Sequence, residues 1–196
     1  MINKILQAFL IVNILLLSNA FANEMIIDDL SNQSGKPDEE FCENSTTKWC
    51  FVTDKVMGGV SEGSLNIKNE DGMLFYRMTG DISLENNGGF IQFRTKIDNH
   101  PQGESFSGIR IRVRGNQNEY AVHVRTKYLL LPWQYYESTF YADEKWTTIE
   151  LPFNTFIKSN FYQPSEVSSQ DIKTIGIVAI GREFSAEIDL ASIELY

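Results

Sequence analysis

The 196-residue sequence predicts an all-β fold, an antiparallel β-sandwich or jelly roll. Three observations lead there. Short runs alternate apolar and polar residues, as in 108–114 (GIRIRVR) and 119–126 (EYAVHVRT). Turn signals such as Asp71-Gly72 and Asn86-Asn87-Gly88-Gly89 separate such runs at close spacing. No stretch of a dozen residues carries convincing helical periodicity.

The chain opens on a segment read as a removable signal peptide, residues 1–22. Lys4 gives a weakly positive start, residues 5–17 form a 13-residue apolar run, and Ala20-Phe21-Ala22 is a small-x-small cleavage site. The run is shorter than the about 20 residues of a spanning helix, and the segment lacks Arg. Export to a periplasm or the cell exterior is therefore expected, without stable membrane insertion. Residues 23–196 then form a single domain large enough for a substantial core. Removing Lys4 takes the formal charge from −9 to −10, which disfavours nucleic acid as a partner.

Residues 25–30 (MIIDDL) read as the first strand. Residues 31–45 are polar, with Gly35 and Pro37, and read as a surface excursion. In an oxidising compartment Cys42 and Cys50 are expected to pair, closing a nine-residue loop. Such a staple contributes about 2–3 kcal/mol. Asn44-Ser45-Thr46 matches a glycosylation sequon. Next comes Trp49 to Gly63 (WCFVTDKVMGGVSEG), around which the chain is organised; its paired glycines suit a turn or a close backbone approach. Asp54 and Asn86 are read as turn-fixing groups.

Residues 73–78 read as a strand, and 81–85 and 90–95 as a hairpin turning at Asn87-Gly88. That register sets Leu84 against Ile91, Ile82 against Phe93 and Asp81 against Arg94. A second hairpin joins 108–114 to 119–126 and pairs Arg114 with Glu119. It gathers Arg110, Arg112, Arg114, His123 and Arg125 on one polar face. Further strands are expected at 134–141, 146–151, 174–180 and 187–196, with a turn or two of helix in 165–173. Pro152 ends one strand, since it cannot continue a central ladder.

Several strings together resemble the complex I intermediate-associated protein family, named for its thirty-kilodalton member. They are Trp49 with Val52-Thr53-Asp54, then Val56 to Ser61 (VMGGVS) with Met57, Gly58 and Gly59. Ile82 to Phe90 (ISLENNGGF) with Arg94 follows, then Gly108 to Gly115 leading to Tyr120. Trp146, Leu151-Pro152-Phe153, Phe156 and Ile188-Asp189 complete the likeness, which spans almost the whole mature chain. The resemblance implies a galactose-binding-like jelly roll, similar to non-catalytic carbohydrate-binding modules. Its mitochondrial members act as chaperone-like factors in assembling the membrane arm of respiratory complex I. The exported leader departs from that setting, so the fold and binding character transfer, and no ligand-binding residue set comes with them.

Chemistry points to binding. Gly59 to Gly63 matches G-x-S-x-G around Ser61, but a nucleophile elbow needs a strand-turn-helix that the all-β surroundings do not offer. Two His (100 and 123) and two Cys supply no zinc set, and no cofactor is expected. Calcium would require Asp28, Asp29 and Asp189 to meet where the first and last strands pair. The Arg-rich face, with His123 and the nearby Trp133, Tyr135 and Tyr136, is the candidate ligand site. Its plain alternative is a solvated face whose Arg pair with cross-strand acids. The reading favoured by sequence is a non-catalytic protein-interaction or assembly factor with a protein client. A carbohydrate-binding module is the alternative, and a hydrolase using Ser61 a weaker one.

Overall fold

A computed structural model describes residues 23–31, 49–97, 100–101 and 103–196. The expected signal peptide, the Asn44 sequon and Cys42, hence the Cys42–Cys50 pairing, lie outside them. The strands are β1 (Met25–Asp28), β2 (Trp49–Thr53), β3 (Glu62–Glu70), β4 (Met73–Ile82), β5 (Phe90–Lys96) and β6 (Gly108–Gly115). They continue with β7 (Asn118–Thr126), β8 (Tyr136–Ala142), β9 (Thr147–Pro152), β10 (Ile157–Lys158), β11 (Ile172–Ile180) and β12 (Phe184–Leu195). Two antiparallel sheets result. Sheet A runs β3-β4-β12-β6-β9, with β1 also paired to β12; sheet B runs β10-β8-β7-β11-β5-β2. The fold is the expected jelly roll, and residues 169–171 supply the short helical turn expected in 165–173.

Alternation decides what each strand buries. Ile109, Ile111 and Val113 of β6 and Tyr120, Val122 and Val124 of β7 are all at most 1 % exposed. Burying each such side chain contributes roughly 1.5–3 kcal/mol. Both expected hairpins are nevertheless wrong. Strand β6 pairs with β12 and β9, whereas β7 pairs with β11 and β8, so Arg114 lies opposite Asp189 and Glu119 opposite Tyr141. Likewise β4 belongs to sheet A and β5 to sheet B, so Asp81 lies opposite Ser185 and Glu62 while Arg94 lies opposite Gly176 and Cys50. Consecutive strands cross the sandwich instead of turning within one sheet, and their apolar faces meet across the core. Alternation reads the same either way. In the 83–89 crossing, Asn86 and Asn87 take the positive φ, both 57°, rather than Asn87 and Gly88. Strand β3 was not anticipated, because at this edge only Leu65 is buried and alternation is faint.

Several of the motif residues form one knot between the two crossings. Asp54 is 0 % exposed and forms no ion pair among the described residues. Its Oδ1 accepts from the Ser61 amide at 3.0 Å. Its Oδ2 accepts from the Ser61 hydroxyl at 2.5 Å and from the Gly89 and Phe90 amides at 2.6 and 3.3 Å. A Cβ at Gly59 would lie 2.3 Å from Asp54 Cγ, and one at Gly88 2.4 Å from its Oδ2, so both positions exclude any side chain. Met57 is not part of the knot; it stands 62 % exposed. A second buried carboxylate, Asp28, accepts from Trp49 Nε1 at 2.6 Å and from the Tyr76 hydroxyl at 3.0 Å.

Burial alone would push the Asp54 carboxyl up, but the Ser61 hydroxyl and the Gly89, Ser61 and Phe90 amides hold it below its ordinary value. A depressed folded-state pKa contributes stability that is complete above the unfolded value of about 4 and is lost as pH falls through the folded one. Asp54→Ala strands several buried donors and is expected to lower the unfolding free energy by roughly 3 kcal/mol or more in urea titrations. Asp54→Asn should flatten the acid limb of the stability–pH curve. An unchanged midpoint in Asp54→Ala would refute the knot's role.

Candidate functional site

The sandwich has two outer faces, and the sequence-predicted site residues divide between them. Arg110, Arg112 and Arg114 lie on sheet A; His123 and Arg125 lie on sheet B. The single Arg-rich face does not form, for the reason that broke the second hairpin.

On sheet A three guanidinium groups, those of Arg77, Arg110 and Arg114, are neutralised by the chain itself. Arg110 donates to Glu24 and Glu194, both at 2.6 Å, and to Glu150 at 3.0 Å. The first of these bonds, with its neighbours, raises the Arg110 pKa against the opposing effect of burial. Arg77 grips Asp189 with two 2.7 Å bonds, and Arg114 takes the same carboxylate at 2.7 Å and Glu70 at 2.5 Å. Arg112 is exposed, with its guanidinium 5.9 Å from the Trp146 ring. The plain alternative, cross-strand pairing, therefore holds for Arg110 and Arg114. A cavity of about 360 Å³ opens here, lined by Arg77, Arg114, Asn116, Glu144, Glu187 and Asp189. Its cations are already engaged and its rim is acidic, so a ligand would have to break ion pairs to enter. Asp189 is thus an anchor for two arginines. Strands β1 and β12 do pair, but Asp28 is tied to Trp49 and Tyr76, so the proposed calcium set does not assemble.

Sheet B differs. Register places Cys50, Arg94, Gly176, His123 and Glu137 in one row across β2, β5, β11, β7 and β8. The next row holds Lys96, Thr174 and Arg125. His123 is stacked on Tyr135 with ring centroids 3.9 Å apart and planes at 10°. Its Nε2 lies 2.8 Å from Glu137 Oε2; a carboxylate only accepts, so the imidazole donates. That bond holds the Glu137 carboxyl below its usual range despite burial. Arg125 donates to the carbonyls of Pro132 and, at 3.1 Å, Leu131. Ser159 bonds the Tyr135 amide at 3.0 Å and the Trp133 carbonyl at 3.4 Å. These bonds fix the 127–135 loop while Trp133 remains 62 % exposed.

Arg94 is the residue sequence reasoning missed as a site group. Half-buried, it makes no hydrogen bond or ion pair among the described residues, and burial holds its guanidinium below the ordinary range. Alternation in 90–96 was enough to put Gln92, Arg94 and Lys96 on one face, but the false hairpin had matched Arg94 with Asp81. Tyr136, expected at the site, is 0 % exposed in the core, its hydroxyl on the Pro164 carbonyl. Ser61 is likewise fully buried, donating to Asp54 and accepting from the Ser83 amide at 3.0 Å. The G-x-S-x-G match therefore supplies no accessible nucleophile.

A sequence profile described as complex I intermediate-associated protein 30 matches residues 39–190. The chain belongs to this family. No curated protein matches it significantly. Among solved structures it is similar to a family 11 carbohydrate-binding module from Clostridium thermocellum in complex with a β-1,3-1,4-mixed-linked tetrasaccharide. That likeness has a TM-score of 0.63 and 14 % identity, over 89 % of this chain and 95 % of that one. The family 11 module of cellulosomal cellulase Lic26A-Cel5E of the same organism gives a TM-score of 0.64 at 15 % identity, over 89 % and 94 % of the two chains. A family 30 carbohydrate-binding module gives 0.54 at 9 %, over 88 % and 87 %. At such identities the likeness establishes the β-sandwich jelly-roll fold and nothing finer.

Asp189→Ala leaves two part-buried guanidinium groups without their shared carboxylate and is expected to cost roughly 3 kcal/mol in urea denaturation. Arg112→Ala should be nearly neutral. Equal effects of the two changes would contradict the division of labour drawn for sheet A.

Proposed function

We propose that the protein is an exported, non-catalytic carbohydrate-binding domain whose ligand lies across the outer face of sheet B. The observation that carries this reading is the contrast between the two faces. On sheet A Arg77, Arg110 and Arg114 meet carboxylates of the chain, whereas on sheet B Arg94, without a partner among the described residues, shares a row with the rigid His123–Tyr135 stack. A planar guanidinium and an aromatic ring, held in place by packing, suit the hydroxyls and flat faces of a sugar. The His123-braced Glu137 adds an acceptor, and Trp133 on its tethered loop adds an exposed ring at the rim. Likeness of fold to carbohydrate-binding modules supports this reading over the protein-client one. Export rests on the character of residues 1–22, and the absence of catalysis on the burial of Ser61.

A protein client remains a second reading. It is favoured by family membership and by the exposed Val56, Met57, Val60 and Leu84 on the two loops that Asp54 ties together.

The discriminating experiment is a glycan array with the mature protein, followed by calorimetry on the strongest hit. Arg94→Ala and Tyr135→Ala are each expected to weaken binding about tenfold or more. Arg112→Ala combined with Arg114→Ala should leave it unchanged. Absence of any glycan binding at millimolar ligand would eliminate the carbohydrate reading.

A further inference from the structure

Building on the carbohydrate reading, we infer that the sugar chain this face takes is acidic, its carboxylates received by the guanidinium groups of Arg94 and Arg125. A cation partly withdrawn from water and given no counter-charge is unfavourable unless something else supplies one. On sheet A the half-buried Arg77, Arg110 and Arg114 are supplied with one, each meeting a carboxylate at 2.7 Å or less. Among the described residues Arg94 meets none, and Arg125 bonds only the neutral carbonyls of Leu131 and Pro132. The nearest acid in their rows, Glu137, is held by His123 on the far side of Gly176.

The two cations also act on each other. Burial lowers the Arg125 pKa, and the charge of Arg94 lowers it further. An anion placed beside both relieves the two costs together, which a neutral hydroxyl does not. Two strand spacings and two residues separate the pair, so their Cα atoms stand about 12 Å apart. Side chains of this length can close on one carboxylate or take one each from neighbouring sugars. The planar fork of Arg matches a carboxylate in two parallel hydrogen bonds. Lys96, exposed in the same row as Arg125, adds a third positive charge. On a chain of net charge −9 these cations mark where a polyanionic chain is admitted, because most of the remaining surface repels it.

Affinity electrophoresis of the mature protein tests this. The acidic probes are polygalacturonate and alginate, the neutral ones mixed-linkage β-glucan and galactomannan, and poly-glutamate is the polyanion without sugar. An acidic polysaccharide is expected to bind about tenfold or more tightly than either neutral one. Arg94→Gln and Arg125→Gln should each reduce that binding about tenfold, while Arg112→Gln leaves it unchanged. Raising the salt from roughly 0.05 to 0.5 M should weaken it progressively. Arg94→Gln is expected to keep or raise the melting temperature, since it removes an uncompensated cation, so lost binding will not be confused with lost fold. If a neutral polysaccharide binds as tightly as the acidic ones, the acidic inference falls and the carbohydrate reading stands. If no polysaccharide binds, both fall. Equal binding of poly-glutamate overturns the inference in favour of an acidic protein partner.

Discussion

The buried Asp54 carboxylate is satisfied by N–H and O–H donors, which it obtains from two loops far apart in sequence. The Ser61 amide and hydroxyl come from the turn that follows β2, and the Gly89 and Phe90 amides from the crossing between β4 and β5. One side chain thereby fixes the points where the chain leaves one sheet and enters the other. Positions 59 and 88 tolerate no side chain because their backbones are packed against this carboxylate. With those crossings set, β5 takes its place between β11 and β2, and the row containing Arg94 acquires its position on sheet B.

The two outer faces put the same residue type to opposite uses. On sheet A, arginine is structural: Asp189, only 2 % exposed, draws Arg77 and Arg114 together, and Arg110 is enclosed by three glutamates. Such networks are screened little because they are partly withdrawn from water, and they leave little charge for a ligand. On sheet B the acids are fewer and the one at hand is engaged by His123. Guanidinium groups there remain available, and the aromatic groups beside them are immobilised by stacking and by the Ser159 bonds. Rigidity of this kind lowers the ordering cost that a sugar would otherwise meet on binding.

Much of the fold was legible because it depends on patterns a chain carries locally. Period-2 alternation named the inward residues of β6 and β7 correctly, and the motif string from Trp49 to Gly63 marked the region that Asp54 organises. Strand pairing was not legible. The apolar residues of 108–114 and 119–126 can share a face as neighbours in one sheet or oppose each other across a core, and both arrangements bury them equally. The second arrangement prevails because β12 and β11 offer each strand a different partner from a distant part of the chain.

The site suffered most from that ambiguity. Residue types and their spacing established an all-β chain, its buried positions and its family likeness, since each follows from local side-chain chemistry. Tertiary structure alone decided which arginines are neutralised. Whether a guanidinium meets Asp189, or like Arg94 meets no acid among the described residues, depends on which strands lie side by side, and that choice is made by contacts between segments remote in sequence.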